Sequence, residues 1–206
     1  NYNQAIGYRA LYSISTGGSN VGIGHEAGSS ITTGGNNVAI GYHAGYNNQT
    51  GVYNVHIGMH AGYGAASNSA NTNTFVGYKT GYDVTSGYNN VALGGSALEN
   101  LTTGIENVVI GNNAGASITT NSYLLLIGKD AGNSFTGAGL TAVGYKAAKN
   151  LVDGYSNTAI GYEALYSEVA SDESTAVGYQ ALYSQSGSTS TLGNTAVGDL
   201  AGRATT

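Results

Sequence analysis

Four histidines, His25, His43, His56 and His60, fall within one short stretch of a 206-residue chain, and His43 and His60 are 17 residues apart. Imidazoles are the commonest metal ligands in proteins. A ladder of His43 over His60 in neighbouring coils could hold a metal, yet the pair is read as solvated imidazoles on the outer face, with no metal or other cofactor, because no carboxylate or cysteine is seen to recur beside them. Tyrosine is the other residue type with chemistry to offer. Tyr8, Tyr42, Tyr78, Tyr145, Tyr162 and Tyr179 recur at near multiples of 17, and so do Tyr12, Tyr46, Tyr63, Tyr82, Tyr166 and Tyr183. A column of flat apolar rings carrying hydroxyls is a candidate platform for stacking sugar rings. The competing reading is that the columns seal the edges of the fold or a contact between chains. Catalysis has no support. The acids Glu26, Asp83, Glu99, Asp130, Asp153 and Glu163 show no pairing by spacing. Gly-x-Gly occurrences such as Gly22 to Gly24 lack the flanking strand, helix and downstream acid of a nucleotide fingerprint. The expectation is a protein that is not an enzyme.

What must position these residues is a repeat. The phrase NTAIGYEALYS at 157–167 returns as STAVGYQALYS at 174–184 and as NTAVGDLAG at 194–202. With the glycine after the aliphatic residue as marker, the series runs Gly7, Gly24, Gly41, Gly58, Gly77, Gly94, Gly111, Gly128, Gly144, Gly161, Gly178 and Gly198. Twelve copies with a usual step of 17 residues make this a repeat architecture before any other reading is considered. The longer steps, near Ala65 to Thr72 and near Ser186 to Leu192, are expected to bulge outward as surface loops.

Within a copy, the fourth residue before the marker is mostly Asn: Asn3, Asn20, Asn37, Asn54, Asn73, Asn90, Asn107, Asn157 and Asn194. The residue just before the marker is a branched aliphatic in all twelve, from Ile6, Ile23, Ile40 and Ile57 to Val197. Two before the marker the residue is usually Ala, so large and small alternate with the period of a strand that has two unlike faces. Downstream segments such as Ile31 to Gly34 and Leu101 to Gly104 suggest a second short strand ending in a glycine turn. The expected fold is all-β: a parallel β-solenoid, or β-roll, of about twelve 17-residue coils forming one array over residues 1–206. Coils stacked at ~4.8 Å give a rod on the order of 55 Å long. Asn37, Asn54, Asn73 and Asn90 would then pass an amide ladder along it. Ile40 and Ile57 would form an apolar spine, and Gly41 and Gly58 would stack at the corners. The Ala and Gly face is expected to pack closely against another copy of the chain.

Composition narrows the function. Charged residues are 8% of the chain, against about 25% ordinarily. Gly numbers 34, which disfavours helices, and Pro, Cys and Trp are absent. A net charge of −5 without a basic run argues against nucleic acid. No run of 18 apolar residues suggests membrane insertion. Zero cysteines exclude a disulfide framework. Asn1 in place of Met leads to the expectation that this is a processed or excerpted part of a longer chain.

NTAIGYEALYS and STAVGYQALYS, spaced by ITTG and LTTG segments, resemble the repeats of phage tail fibres and bacterial surface fibres, particularly those preceding an endosialidase-type intramolecular chaperone domain. NNVAIG and NTAVG are more distantly similar to the head repeats of trimeric autotransporter adhesins, which have a shorter period. The resemblance implies a homotrimeric, extracellular fibre segment at a cell surface or on a virion, with itself and a cell-surface glycan as partners. Two rivals stand beside it. One is a filament subunit stacking head to tail. The other is a glycan- or ice-binding solenoid, for which Thr158, Thr175 and Thr195 do not extend into a full threonine column, since Val21, Val38 and Val91 interrupt it.

Overall fold

The computed structural model describes residues 2–65, 68–167, 172–185 and 193–205. They form a parallel β-solenoid. The strands are β1 (Gln4–Ile6), β2 (Val21–Ile23), β3 (Val38–Ile40), β4 (Val55–Ile57), β5 (Thr74–Val76), β6 (Val91–Leu93) and β7 (Val108–Ile110). They continue as β8 (Leu125–Ile127), β9 (Ala138–Val143), β10 (Tyr155–Ile160), β11 (Thr175–Val177), β12 (Ser184–Gln185), β13 (Thr195–Val197) and β14 (Ala204–Thr205). Twelve of them make one sheet in sequence order, β1 to β11 followed by β13, and β12 pairs with β14 alone. Twelve strands in one sheet enclose about eleven turns. Register follows the repeat: Ile40 pairs with Ile57, and Thr158 with Thr175.

Most coils thus carry one strand, not two; among the described residues only the coils of β11 and β13 carry the expected second strand, as the pair β12 and β14. On the expected second side the Ile-Thr-Thr-Gly segment closes as a turn, because three successive amides converge on a single carbonyl. Thr32, Thr33 and Gly34 all donate to the Gln49 carbonyl of the next coil, at 2.9, 3.3 and 3.3 Å. That arrangement satisfies the donors without a ladder. The marker glycines hold φ between +124° and +138°. A Cβ at Gly41 would also stand 2.6 Å from the Gly58 carbonyl oxygen, so both the conformation and the close stacking exclude a side chain.

The interior is narrow and lined by the small residues. From β2 onward in the long sheet the residue two before the marker glycine is buried, including Ala39, Ala92, Ala142, Ala159 and Ala176, with His56, Phe75, Val109 and Leu126 at the same position in other coils. Opposite them lie the buried alanines three past the marker, such as Ala44, Ala97 and Ala164, and the aliphatics seven past it, such as Ile31, Val84, Leu101 and Ile118. This corrects two expectations. The Ala and Gly face is turned to the solenoid's own core, so it is not free to meet another copy. The aliphatic column containing Ile40 and Ile57 is stacked on the outside, only half-buried. The physical reason is the narrow interior that the two sides of a coil share. A Cβ on Gly22 would already meet Leu11 Cγ at 2.8 Å, so where a coil's interior is filled from the opposite side the inward strand position stays small, and the aliphatics on either side of it fall on the outer face by the alternation of the strand.

Of the expected loop near Ala65 to Thr72, residues 66 and 67 lie outside the described residues. Asn68 and Ala70 are buried rather than bulging, because Asn68 bridges to Asn48 of the coil before and its Nδ2 donates to the Val84 carbonyl of the coil after, at 2.9 Å. The expected loop near Ser186 to Leu192 also lies outside the described residues.

Candidate functional site

The surface features that could act on another molecule are three parallel strips running along the rod. The first is the outer face of the long sheet. Its two columns hold Val21, Val38, Val55, Thr74, Val91, Val108, Leu125, Thr141, Thr158, Thr175 and Thr195 beside Ile23, Ile40, Ile57, Val76, Leu93, Ile110, Ile127, Val143, Ile160, Val177 and Val197. No charged side chain interrupts them from end to end. They are covered only by their neighbours along each column, and Val108, Leu125 and Ile160 remain 39, 36 and 39% exposed. A continuous apolar strip on the order of 50 Å long, at ~4.8 Å per strand, is unusual on a solitary soluble protein.

The second strip is aromatic. Residues one past the marker glycine stack along the axis: Tyr8 on His25 and His25 on Tyr42, each at 5.1 Å between centroids. Tyr145, Tyr162 and Tyr179 follow at 5.0 and 5.3 Å. Tyr78 belongs to the same column but is separated from Tyr42 by the exposed Met59. A parallel column five past the marker stacks Tyr46, Tyr63 and Tyr82 at 5.3 and 4.9 Å with planes within 8°. The ring faces are therefore turned to each other, and a ligand approaching from the side meets edges and hydroxyls. Burial, with the Tyr82 and Tyr46 hydroxyls next, raises the Tyr63 pKa.

The third strip is charged and lies two past the marker, where the chain adopts left-handed φ, between +49° and +60°, with non-glycine residues throughout. The column is Arg9, Glu26, His43, His60, Lys79, Ser96 and onward; the spacing of His43 and His60 marked two of its members, but the sequence expectation put glycine at the corners and missed the rest. The conformation is held because each amide bonds to the preceding coil: Glu26 N–H to the Tyr8 carbonyl at 2.7 Å, His43 to His25 at 3.0 Å and His60 to Tyr42 at 2.9 Å. The side chains then line up one coil apart. Glu26 lies between Arg9, 3.5 Å away, and His43, whose Nε2 is 2.9 Å from Glu26 Oε2. The reading that no carboxylate stands beside the histidines is corrected here. Glu26 occupies the same coil position 17 residues earlier, and that spacing was available in the sequence. Lys79 reaches Glu99 at 3.3 Å, and this hydrogen bond raises its pKa. Burial lowers the His60 pKa, and the neighbouring His43 and Lys79 lower it further.

Beneath these strips the asparagines form hydrogen-bonded rungs. Asn37 Nδ2 donates to Asn20 Oδ1 at 3.1 Å and to the Gly51 carbonyl at 2.8 Å. The Asn54 backbone N–H donates to Asn37 Oδ1 at 2.9 Å, and Asn73 and Asn90 continue the run. It reaches Asn107, whose Oδ1 accepts from the Leu124 amide at 3.0 Å. Gly41 and Gly58 stack beside these rungs, while Ile40 and Ile57 lie on the outer strip. His56 is apart from the other histidines, buried inside β4 and stacked on Phe75 at 5.4 Å. Burial pushes its imidazole down to about 4.

The chain matches no protein-family model, no curated protein and no solved structure. Among the described residues, no helix is long and apolar enough to cross a membrane.

Proposed function

We propose that the chain is a rigid structural segment of an extracellular fibre, of the phage tail fibre or surface adhesin kind, and that three copies associate by bringing their outer sheet faces together around a common axis. The observation that carries this reading is the charge-free strip, two residues wide and eleven strands long from β2 to β13, in which one column is aliphatic throughout and the other aliphatic or threonine. A partner with the same ~4.8 Å period is the natural complement to such a strip, and another copy of this chain has that period by construction. Association would bury the strip and leave the tyrosine and charged columns at its margin. The fibre would act mechanically, holding repeated weak contacts, to glycans among other surfaces, at a distance from its base.

Light scattering across a hundredfold range of concentration tests the reading. The expected result is a constant mass at three times 20.7 kDa. Ile110→Asp, in the middle of the outer face, should yield folded monomer with an unchanged β signature by circular dichroism. Mass that climbs without limit would replace the trimer with head-to-tail stacking. A wild-type monomer would overturn the interface.

A further inference from the structure

Among the residues of the charged and aromatic columns, three converge in a way that the coil geometry alone does not require. One imidazole nitrogen each of His25 and His43 and a Glu26 carboxylate oxygen all lie within 4.8 Å of one another. His43 Nε2 stands 2.9 Å and His25 Nδ1 4.0 Å from the same Glu26 oxygen, Oε2. Arg9 takes the other oxygen, Oε1, at 3.5 Å, which turns Oε2 toward the two rings. His25 is exposed, while Glu26 and His43 are half-buried on the surface, so the three atoms face an approach from solvent.

We propose that these residues form a binding site for a single divalent transition metal ion of the zinc class, independent of the association argued above. Two imidazoles and one carboxylate are the donor set that zinc takes in sites with three protein ligands, leaving a fourth position to water. Ligands of a tetrahedral zinc stand ~3.3 Å apart, given bonds of about 2.0–2.1 Å. The two separations from Glu26 Oε2, 2.9 and 4.0 Å, bracket that value, and the three ligand atoms all stand within 4.8 Å, so closing the site takes side-chain shifts on the order of 1 Å. Imidazole nitrogen excludes calcium and magnesium, which take oxygen ligands. The ligands come from two successive coils, 25 and 26 from one and 43 from the next. The bound ion therefore staples the turn that follows β2 to the turn that follows β3. The left-handed backbone at Glu26 and His43, φ +55° and +53°, fixes both side chains on the same outer line. His60 continues that line and stacks on His43 at 5.5 Å between centroids, and it supports the ring without joining the ligand set.

Calorimetric titration of the full chain with zinc chloride at pH 7.5 tests this. The expected result is one ion per chain and a rise in the thermal midpoint. His25→Ala, Glu26→Gln and His43→Ala should each weaken binding by about tenfold or more, and His60→Ala by less than that. His25 is exposed, so its variant folds even where a change at His43 disturbs the turn. Cobalt(II) in place of zinc should give visible d–d absorption in the wild type that is lost in the His25→Ala/His43→Ala double variant. Absence of binding, or binding and cobalt spectra unchanged in the double variant, would overturn the site. Loss of binding in His60→Ala with retention in His25→Ala would overturn the assigned ligands.

Discussion

The coils of β4 and β5 fill the solenoid's interior in a different way from those of β9 to β11, although the backbone is the same. In β4 and β5 the inward strand residue is large, His56 or Phe75, and the residue six positions on is glycine, Gly62 or Gly81. In β9, β10 and β11 the inward residue is alanine, and six positions on stand Ala148, Leu165 and Leu182, all buried. The two sites face one another across the coil and share one volume. A Cβ at Gly81 would fall 2.5 Å from the Phe75 ring, and one at Gly62 would fall 2.5 Å from the His56 ring. Where both positions are small, a neighbouring coil supplies the bulk: Gly28 is covered by Leu11, whose Cδ2 is 2.8 Å from where its Cβ would be. The core is conserved as a volume and not as a residue.

That comparison breaks most sharply at Phe75. Phe75→Ala should destabilise the fold by about 3–5 kcal/mol, the usual cost of removing a buried aromatic ring. Adding Gly81→Leu to that variant recreates the Ala92 and Leu98 pair of the next coil and should recover much of the loss. The backbone accepts leucine there, since Leu98 adopts φ +50° where Gly81 has +60°. Gly81→Leu alone should prevent that coil from closing. Urea midpoints at one fixed protein concentration decide the matter. A double variant no more stable than Phe75→Ala would show that the two positions do not share a volume.

This pairing marks the boundary of what can be read from the sequence. The repeat, its period and the parallel register of Ile40 on Ile57 follow from marker glycines alone, because only a stack of equal coils makes so regular a spacing. Which strand face is inside does not follow. Large aliphatics ordinarily go inward, and here the inward strand position is small in many coils because residues from the opposite side, such as Leu11 against Gly22, already occupy the shared interior. The anticorrelation between the inward residue and the residue six later was present in the sequence, as His56 with Gly62 and Ala159 with Leu165. It acquires meaning only once both are known to face one cavity. The Glu26 and His43 pair was legible by its spacing of 17. The left-handed backbone that aims the two side chains was not, since non-glycine residues give no signal for it.

The two aromatic coils also differ from each other, and pH separates them. His56 is neutral in the fold, with its imidazole pushed down to about 4 by burial and its Nε2 without a hydrogen-bond partner. Its folded pKa is below the unfolded value of 6.5, so the unfolded chain takes up the proton first. Stability is then lost as pH falls from 6.5 through 4, by about 3 kcal/mol in all. Above pH 6.5 this residue contributes no pH dependence. His56→Leu copies Leu126 over Gly132 and should remove that share of the acid sensitivity. It should also raise stability at neutral pH, where the unpartnered nitrogen is replaced by carbon. Parallel pH profiles for variant and wild type would exclude His56 as the cause.

The same contrast between the two parts of the chain runs through the asparagine rungs, and it sharpens with a smaller effect. From Asn20 to Asn107 each rung is bonded to the next, whereas Leu124 and Leu140 fill the position with buried apolar side chains. Asn54→Leu would strand the Ala70 carbonyl and the Asn73 amide, which bond to Asn54 at 2.7 and 2.9 Å. The cost of leaving such buried groups unpaired is about 1–3 kcal/mol. The reverse change, Leu124→Asn, exchanges apolar burial for an amide placed beside Asn107 Oδ1, the acceptor that already holds the Leu124 backbone N–H at 3.0 Å. Its cost should be smaller, about 1 kcal/mol or less, because a buried amide that finds partners is nearly neutral. Urea midpoints that rank the two substitutions the other way would mean that the rungs are held by packing, and that the leucines, not the asparagines, are the residues the coil depends on.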